Sequence, residues 1–225
     1  MKKTTALRER IKTEKCLWNP LCYDCVSAKV FAEAGADIIA VSGYGISMGL
    51  LGLPDMGFIS LPELLAVTRS IANSVDTPVI ADADTGFGNA LSVLRTTREV
   101  IQAGAAAMLL EDQLAPKRCG HMSGKQVIPM EEAVGKYRAA VEVRNELDAD
   151  FILVQVERDT KHSAGKLYQL LKANAGKPRH LGDSGGHTGD GPHLPGPQSL
   201  VQEEGLPALQ ELQEADPDRL VGIDR

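Results

Sequence analysis

The sequence predicts an α/β fold built on a parallel sheet, and three observations point there. Short apolar runs alternate with segments of helical period from residue 17 to about 154. Two of the helical segments end in the same Gly-containing turn, and acidic residues gather where strands should end.

Taken in order, Leu17–Tyr23 reads as a strand, followed by a helix near Ser27–Ala34 and a second strand at Asp37–Ser42. A helix over Leu61–Ser74 leads into a strand at Pro78–Asp82, and a helix over Ala90–Ala103 leads into Ala106–Leu110. Met130–Leu147 is the fourth helix and Phe151–Val154 the fifth strand. Ala32-Glu33-Ala34-Gly35-Ala36-Asp37 and Ile101-Gln102-Ala103-Gly104-Ala105-Ala106 each place a C-capping Gly just before a new strand. Such an echo suits a (β/α)₈ barrel and equally any other α/β arrangement.

Beyond Val154 the texture changes. One more amphipathic stretch, Ala164–Leu171, precedes Gly182–Pro197, which holds six Gly and three Pro. Aromatic residues stop at Tyr168, and no clear strand can be read. The expected organisation is therefore residues 1–154 as the site-bearing first part of a barrel and residues 155–225 as an irregular Gly/Pro-rich segment with the texture of loop or disorder. A closed (β/α)₈ barrel takes about 250 residues, so the pattern is that of an incomplete one.

The chain has 225 residues, 43% hydrophobic and 24% charged, an ordinary globular composition. A net charge of −6 argues against nucleic-acid or anionic-membrane surfaces and for a small-molecule partner. No apolar run reaches the roughly 18 residues of a membrane span, and Met1-Lys2-Lys3 opens a polar segment; the expectation is a cytoplasmic protein. Cys16, Cys22, Cys25 and Cys119 lack the spacing of a zinc site or a disulfide framework and are expected to be free thiols.

Asp82 and Asp84 follow Val79-Ile80-Ala81, Glu111 and Asp112 follow Met108-Leu109-Leu110, and the loop after the second strand adds Asp55. Singly, such residues are strand-end caps or solvated loop acids. As a set on one rim they would repel one another without a cation, and Mg²⁺ suits a few carboxylates with retained waters. The loop Lys117-Arg118-Cys119-Gly120-His121 sets a thiol beside two cations and an imidazole, which favours a proton-transferring thiol, although a basic turn with an incidental Cys has the same composition. Ser42-Gly43-Tyr44-Gly45 after the second strand could offer backbone N–H groups to a carboxylate.

Together, Ser42-Gly43-Tyr44-Gly45, Leu51-Gly52-Leu53-Pro54-Asp55, Ala81-Asp82-Ala83-Asp84-Thr85-Gly86-Phe87-Gly88-Asn89, Glu111-Asp112-Gln113 and Pro116-Lys117-Arg118-Cys119-Gly120-His121 resemble the isocitrate lyase/phosphoenolpyruvate mutase superfamily. The resemblance covers about residues 17–154. It implies a (β/α)₈ barrel, a homo-oligomer that is usually a tetramer, and Mg²⁺, with Mn²⁺ as a substitute. The implied metal residues are Asp84 with Asp55, Asp82 and Glu111 near it, largely through water. It places Ser42, Gly43, Tyr44, Asp82, Gly120 and His121 at the substrate, and Cys119, Asp55, Lys117 and His121 in catalysis.

The Lys-Arg-Cys-Gly-His loop is similar to that of C–C lyases acting on isocitrate, methylisocitrate or dimethylmalate, and to that of the carboxyphosphonoenolpyruvate mutases. The expected function is an Mg²⁺-dependent lyase cleaving a small 2-hydroxy di- or tricarboxylate, with a phosphonomutase as the alternative. Two departures stand out. Ala40 occupies a place that is Tyr in methylisocitrate lyases, and Tyr44 one that is Gly, which points to a smaller substrate and leaves the general base unassigned. After Phe151-Ile152-Leu153-Val154 the family reads Ala-Arg-Thr-Asp-Ala, whereas this chain reads Gln155-Val156-Glu157-Arg158-Asp159. A shifted reading frame or an aberrant C-terminus would account for that, and an inactive member of the family is the expectation that follows from it.

Overall fold

Runs of β-branched and small apolar residues, too short for helices, form six parallel strands in a computed structural model that describes residues 1–14, 16–119, 122, 124–156 and 221–223. They are β1 (Leu21–Cys22), β2 (Ile39–Val41), β3 (Val79–Asp82), β4 (Ala107–Glu111), β5 (Ile152–Val156) and β6 (Val221–Ile223). Sheet order equals chain order, β1-β2-β3-β4-β5-β6, with every neighbouring pair parallel. This is the order that successive βα units produce when they wind in one direction.

The helices are α1 (Lys3–Thr13), α2 (Cys25–Glu33), α3 (Gly43–Ile46), α4 (Leu61–Ser74), α5 (Ala90–Gln102) and α6 (Met130–Leu147), with a π-helical turn, Ser47–Leu51, continuing α3. Their starts are written locally. Asp24 accepts the Ser27 N–H at 2.7 Å, Asn89 accepts from Leu91 and Ser92, and Ser60 and Glu63 form a reciprocal capping box that spans Pro62. Gly35 and Gly104, the two echoed C-capping glycines, have φ of +90° and +91°, as the repeated turn requires.

Side-chain alternation gives the sheet two apolar faces. Ile39, Val41, Val79, Ala81, Met108, Leu110 and Leu153 pack outward against the helices, with Leu64, Ile71, Val93 and Tyr137. Ile38, Ala40, Ile80, Ala107, Ile152 and Val154 face the other way and pack on Leu7 of α1. Extending the alternation by one step puts Ser42, Asp82 and Glu111 on this inner face at the C-terminal ends of the strands.

Four features differ from the sequence expectation. α1 was not anticipated, since its apolar stripe is little more than Leu7 and Ile11 in a charged segment; tertiary anchoring supplies what the pattern lacks. The first strand is two residues long rather than Leu17–Tyr23. Residues before it still pair, with Trp18 O accepting from Asp37 N and Pro20 O from Ala40 N, but Pro20 has no N–H and interrupts the ladder. Ser42–Gly45 is the capped start of a helix, which the Gly-rich run did not announce. Finally, Val221–Ile223 pairs with β5, a strand that a Val-Gly-Ile run does not announce. The expected stretch Ala164–Leu171 and most of segment 155–225 lie outside the described residues.

Candidate active site

Two turns bring the acids together. β3 ends at Asp82, and the chain then turns tightly: Asp84 and Phe87 take φ of +48° and +60°, and Gly86 takes +85°. Positive φ is costly for residues with a Cβ and least so for Asp, whose short polar side chain tolerates it. Gly86 has no room for a side chain, because a Cβ there would lie 2.6 Å from Val93 Cγ2. The turn is braced from outside by Lys136, whose ammonium donates to Thr85 O at 3.2 Å, and by Thr96, whose hydroxyl donates to Gly86 O at 3.0 Å. Asp82 Oδ1 accepts the Asp84 N–H at 3.2 Å, and Asp84 O accepts the Glu111 N–H at 2.7 Å, which locks the ends of β3 and β4 to each other.

At the centre lies Lys117. Its Nζ is 2.7 Å from Asp55 Oδ1 and 2.5 Å from Asp84 Oδ1, and all three side chains are buried. The loops carrying Asp55 and Lys117 pack backbone to backbone, with Gly57 at φ +78° seated against the Lys117 main chain. Burial pushes the Asp84 carboxyl upward, and the neighbouring Asp82 adds to that, while Lys117 pulls it back. Burial acts to lower the Lys117 ammonium, but Asp84 and Asp82 outweigh it, so the lysine is held firmly charged. The Lys117 ammonium, 2.5 Å from Asp84, offsets part of the cost of burying that carboxylate beside Asp82.

Gly43 completes the cluster. A Cβ on it would sit 3.3 Å from Asp82 Oδ2 and 3.5 Å from Asp84 Oδ1, so the bare backbone lies directly against both carboxylates. Ser42 caps α3, its hydroxyl accepting the Gly45 N–H at 3.0 Å, and Tyr44 stands exposed. Gln113, the last residue of the Glu111-Asp112-Gln113 run, is fully buried: its Nε2 donates to Glu111 Oε2 at 2.8 Å and to Arg118 O at 3.0 Å, and its Oε1 accepts the Arg118 N–H. It ties the Lys117–Arg118 backbone to Glu111. An amide two residues after a strand-end acid was the available signal.

The structure thus brings Asp55, Asp82, Asp84, Glu111, Lys117, Ser42 and Gly43 into one neighbourhood at one end of the sheet. Cys119 is half-buried two residues beyond Lys117, with its carbonyl accepting the Met122 N–H, and all four cysteines are free. Gly120 and His121 lie outside the described residues.

Among the described residues no three His, Cys, Asp or Glu side chains converge closely enough to enclose a metal by themselves. Magnesium does not need such a cage, since it keeps several waters and takes one or two carboxylates. Asp84 Oδ1 is buried, and its close partner is the Lys117 ammonium at 2.5 Å. Two neighbouring carboxylates, Asp82 and Asp84, with the bare backbone of Gly43 against both, fit a water-rich magnesium site.

The chain matches the family described as phosphoenolpyruvate phosphomutase over residues 7–155. It is 44% identical over 154 residues to 2,3-dimethylmalate lyase of Eubacterium barkeri, covering 68% of this chain and 53% of that protein. It is 46% identical over 151 residues to the chloroplastic carboxyvinyl-carboxyphosphonate phosphorylmutase of Arabidopsis thaliana, covering 67% and 44%. Among solved structures, phosphonopyruvate hydrolase in complex with oxalate and Mg²⁺ superposes with a TM-score of 0.68 at 30% identity, covering 77% of this chain and 60% of that one. The chain spans about half the length of the curated relatives it matches. The likeness decides between the two arrangements left open by the repeated helix ends: the parallel strands follow the TIM-barrel-like course of these neighbours.

Proposed function

The chain belongs to the phosphoenolpyruvate phosphomutase family, and on that footing we propose that it carries the magnesium- and thiol-bearing part of a carbon–carbon lyase acting on a small 2-hydroxy di- or tricarboxylate. The observation that carries this reading is the buried Asp55–Lys117–Asp84 cluster, joined by Asp82 and Glu111, on the strand ends where barrel enzymes work. Similarity to a dimethylmalate lyase and to a phosphonopyruvate hydrolase that holds oxalate and Mg²⁺ supports a small-carboxylate ligand and the metal.

When bound, magnesium supplies positive charge to the substrate oxyanions. Asp84 would hold it, with Asp82, Asp55 and Glu111 accepting from its waters. The Gly43 backbone and the Ser42–Tyr44 turn lie next to Asp82 and are the surface against which a carboxylate is oriented. As the substrate hydroxyl gives its proton to solvent and the bond beside it breaks, an oxo acid and an enolate-like carboxylate form; the Cys119 thiol gives the enolate carbon a proton, and its thiolate regains one from solvent. The phosphonomutase reading has its own support in the Arabidopsis relative, which is as similar to this chain as the lyase is. Cytoplasmic location and tetrameric assembly belong to the same proposal; no helix of the described residues is long and apolar enough to cross a membrane.

The test uses this chain and, beside it, a chimera in which residues 1–156 are joined to the remaining barrel of the Eubacterium barkeri lyase. Both are assayed with Mg²⁺ on 2,3-dimethylmalate, 2-methylisocitrate, isocitrate, oxaloacetate and carboxyphosphonoenolpyruvate. Release of an oxo acid by the chimera supports the lyase. Rearrangement of a carboxyphosphonate with no cleavage supports the mutase, and neither reaction in the chimera overturns the assignment.

A further inference from the structure

Ser47, the first residue of the π-helical turn, is 1% exposed and is bonded through both of its polar groups to the segment that leads into Asp55. Its carbonyl accepts the Gly52 N–H and, at 3.1 Å, the Leu53 N–H, while its hydroxyl donates to Leu53 O at 2.9 Å and to Pro54 O at 3.0 Å. Pro54 O accepts a second time, from the Met56 N–H at 3.0 Å, which makes Asp55 the middle residue of a γ-turn. We propose that Ser47 is a positioning residue: by holding the Pro54 carbonyl it sets the peptide plane from which the Asp55 carboxylate reaches the site. The inference rests on the magnesium reading above and adds to it a residue that acts only through Asp55.

Three observations support the role. Ser47 stands on fixed ground, because Gly45 and Gly49 on either side of it lie against Tyr23, where an added Cβ would come 2.8 Å from Tyr23 Cβ and 3.1 Å from Tyr23 Cδ2. The same helical run begins at Gly43, whose backbone lies against Asp82 and Asp84, so the Ser47 hydroxyl joins Asp55 to the turn that faces those carboxylates. Finally, Pro54 O and Asp55 N belong to one planar peptide, and fixing its oxygen removes the rotation that would swing the Asp55 side chain. Lys117 alone does not do this. Its Nζ meets Asp55 Oδ1 at 2.7 Å, but an ammonium is a compact charge with rotatable donors and sets no direction of approach. A carboxylate that accepts from metal-bound water has to be held to within about 0.5 Å, and the serine supplies the directed bond.

The test is a double-mutant cycle of wild type, Ser47→Ala, Asp55→Asn and the double variant, read by calorimetric titration with MgCl₂ in the presence of oxalate, with Tm measured without ligand. Circular dichroism checks folding, and Ser47→Cys, close in shape with a much weaker donor, takes the place of Ser47→Ala if that variant does not fold. Ser47→Ala should weaken magnesium binding by about 5-fold, the worth of one neutral hydrogen bond. Asp55→Asn should weaken it further without abolishing it, since Asp55 meets the metal through water. In the Asp55→Asn background the effect of Ser47→Ala on affinity should vanish, whereas its lowering of Tm should persist; a serine with a structural role alone gives the same factor in both backgrounds. Equal factors in the two backgrounds, unchanged affinity in Ser47→Ala or in Asp55→Asn, or loss of all binding in Asp55→Asn overturns the positioning role and leaves the magnesium reading standing. No heat in the wild type overturns the magnesium reading and the role with it.

Discussion

At the N-terminal ends of the strands the inner face of the sheet is filled by Leu7, which is 0% exposed and packs on Ile38, Ala40, Ile80 and Ile152; at the C-terminal ends it meets Asp82, Glu111 and, beside them, an ammonium held between two carboxylates. The same strands therefore have one end closed by apolar contact and one by charge. α1 secures the apolar end through polar anchors. Lys3 Nζ donates to Ala72 O and Val75 O at 2.6 Å at the end of α4, and Thr4 and Thr5 donate to Asp148 and Asp150 before β5. The charged end keeps buried, crowded carboxylates and a left-handed Asp, costs that folding alone does not explain and that a ligand-binding role does.

The largest effect that separates the ends should come from Asp84→Asn, which keeps the left-handed backbone tolerable while removing the anionic oxygen. It should abolish any magnesium-induced rise in Tm and cost on the order of 100-fold or more in activity of the chimera, with the apo Tm changed little. Equal loss of apo stability would mean that the charged end is structural after all. Leu7→Ala should do the reverse. A fully buried Leu at a packed position loses about 2–5 kcal/mol in denaturant unfolding, while magnesium affinity measured by calorimetry should hold.

Tyr137→Phe is smaller still. Its hydroxyl donates to Leu110 O at 2.9 Å behind the charged end, and removing it should cost about 1 kcal/mol in the same unfolding experiment. Confined to alkaline solution is a pH effect at Cys22. Burial, with Asp24 and Cys25 adding, pushes this thiol from 9.0 up to about 12. The folded chain then keeps a proton that the unfolded chain gives up, so the contribution is fully present below the ordinary thiol value and is lost as pH rises from there toward about 12. Stability should fall between about pH 9 and about pH 11 by more in the wild type than in Cys22→Ala. Over that range Cys22 should alkylate far more slowly than Cys119, which is half-buried rather than buried.

Legibility in the sequence followed the same division. The strands β2 to β5 and the helices α2, α4, α5 and α6 were readable because burial on one face imposes a period and because Asn89, Ser60–Glu63, Gly35 and Gly104 mark their ends. Gathering of Asp55, Asp82, Asp84 and Glu111 was also readable, since strand ends in a parallel sheet share a rim. The bridging place of Lys117 between Asp55 and Asp84 was not, because the sequence grouped it with Arg118 and His121 as a neighbour of the thiol, and only the meeting of two loops puts its ammonium among carboxylates. Likewise α1 depends on contacts with residues some 70 and 145 positions away, which no local pattern encodes.

Titration of the wild-type chain with Mg²⁺ in the presence of oxalate, followed by calorimetry beside Asp84→Asn, bears most directly on the charged end as a ligand site. A single saturable heat at millimolar magnesium or below in the wild type, absent from Asp84→Asn, is the predicted result; no heat in the wild type, or the same heat in both proteins, would contradict it.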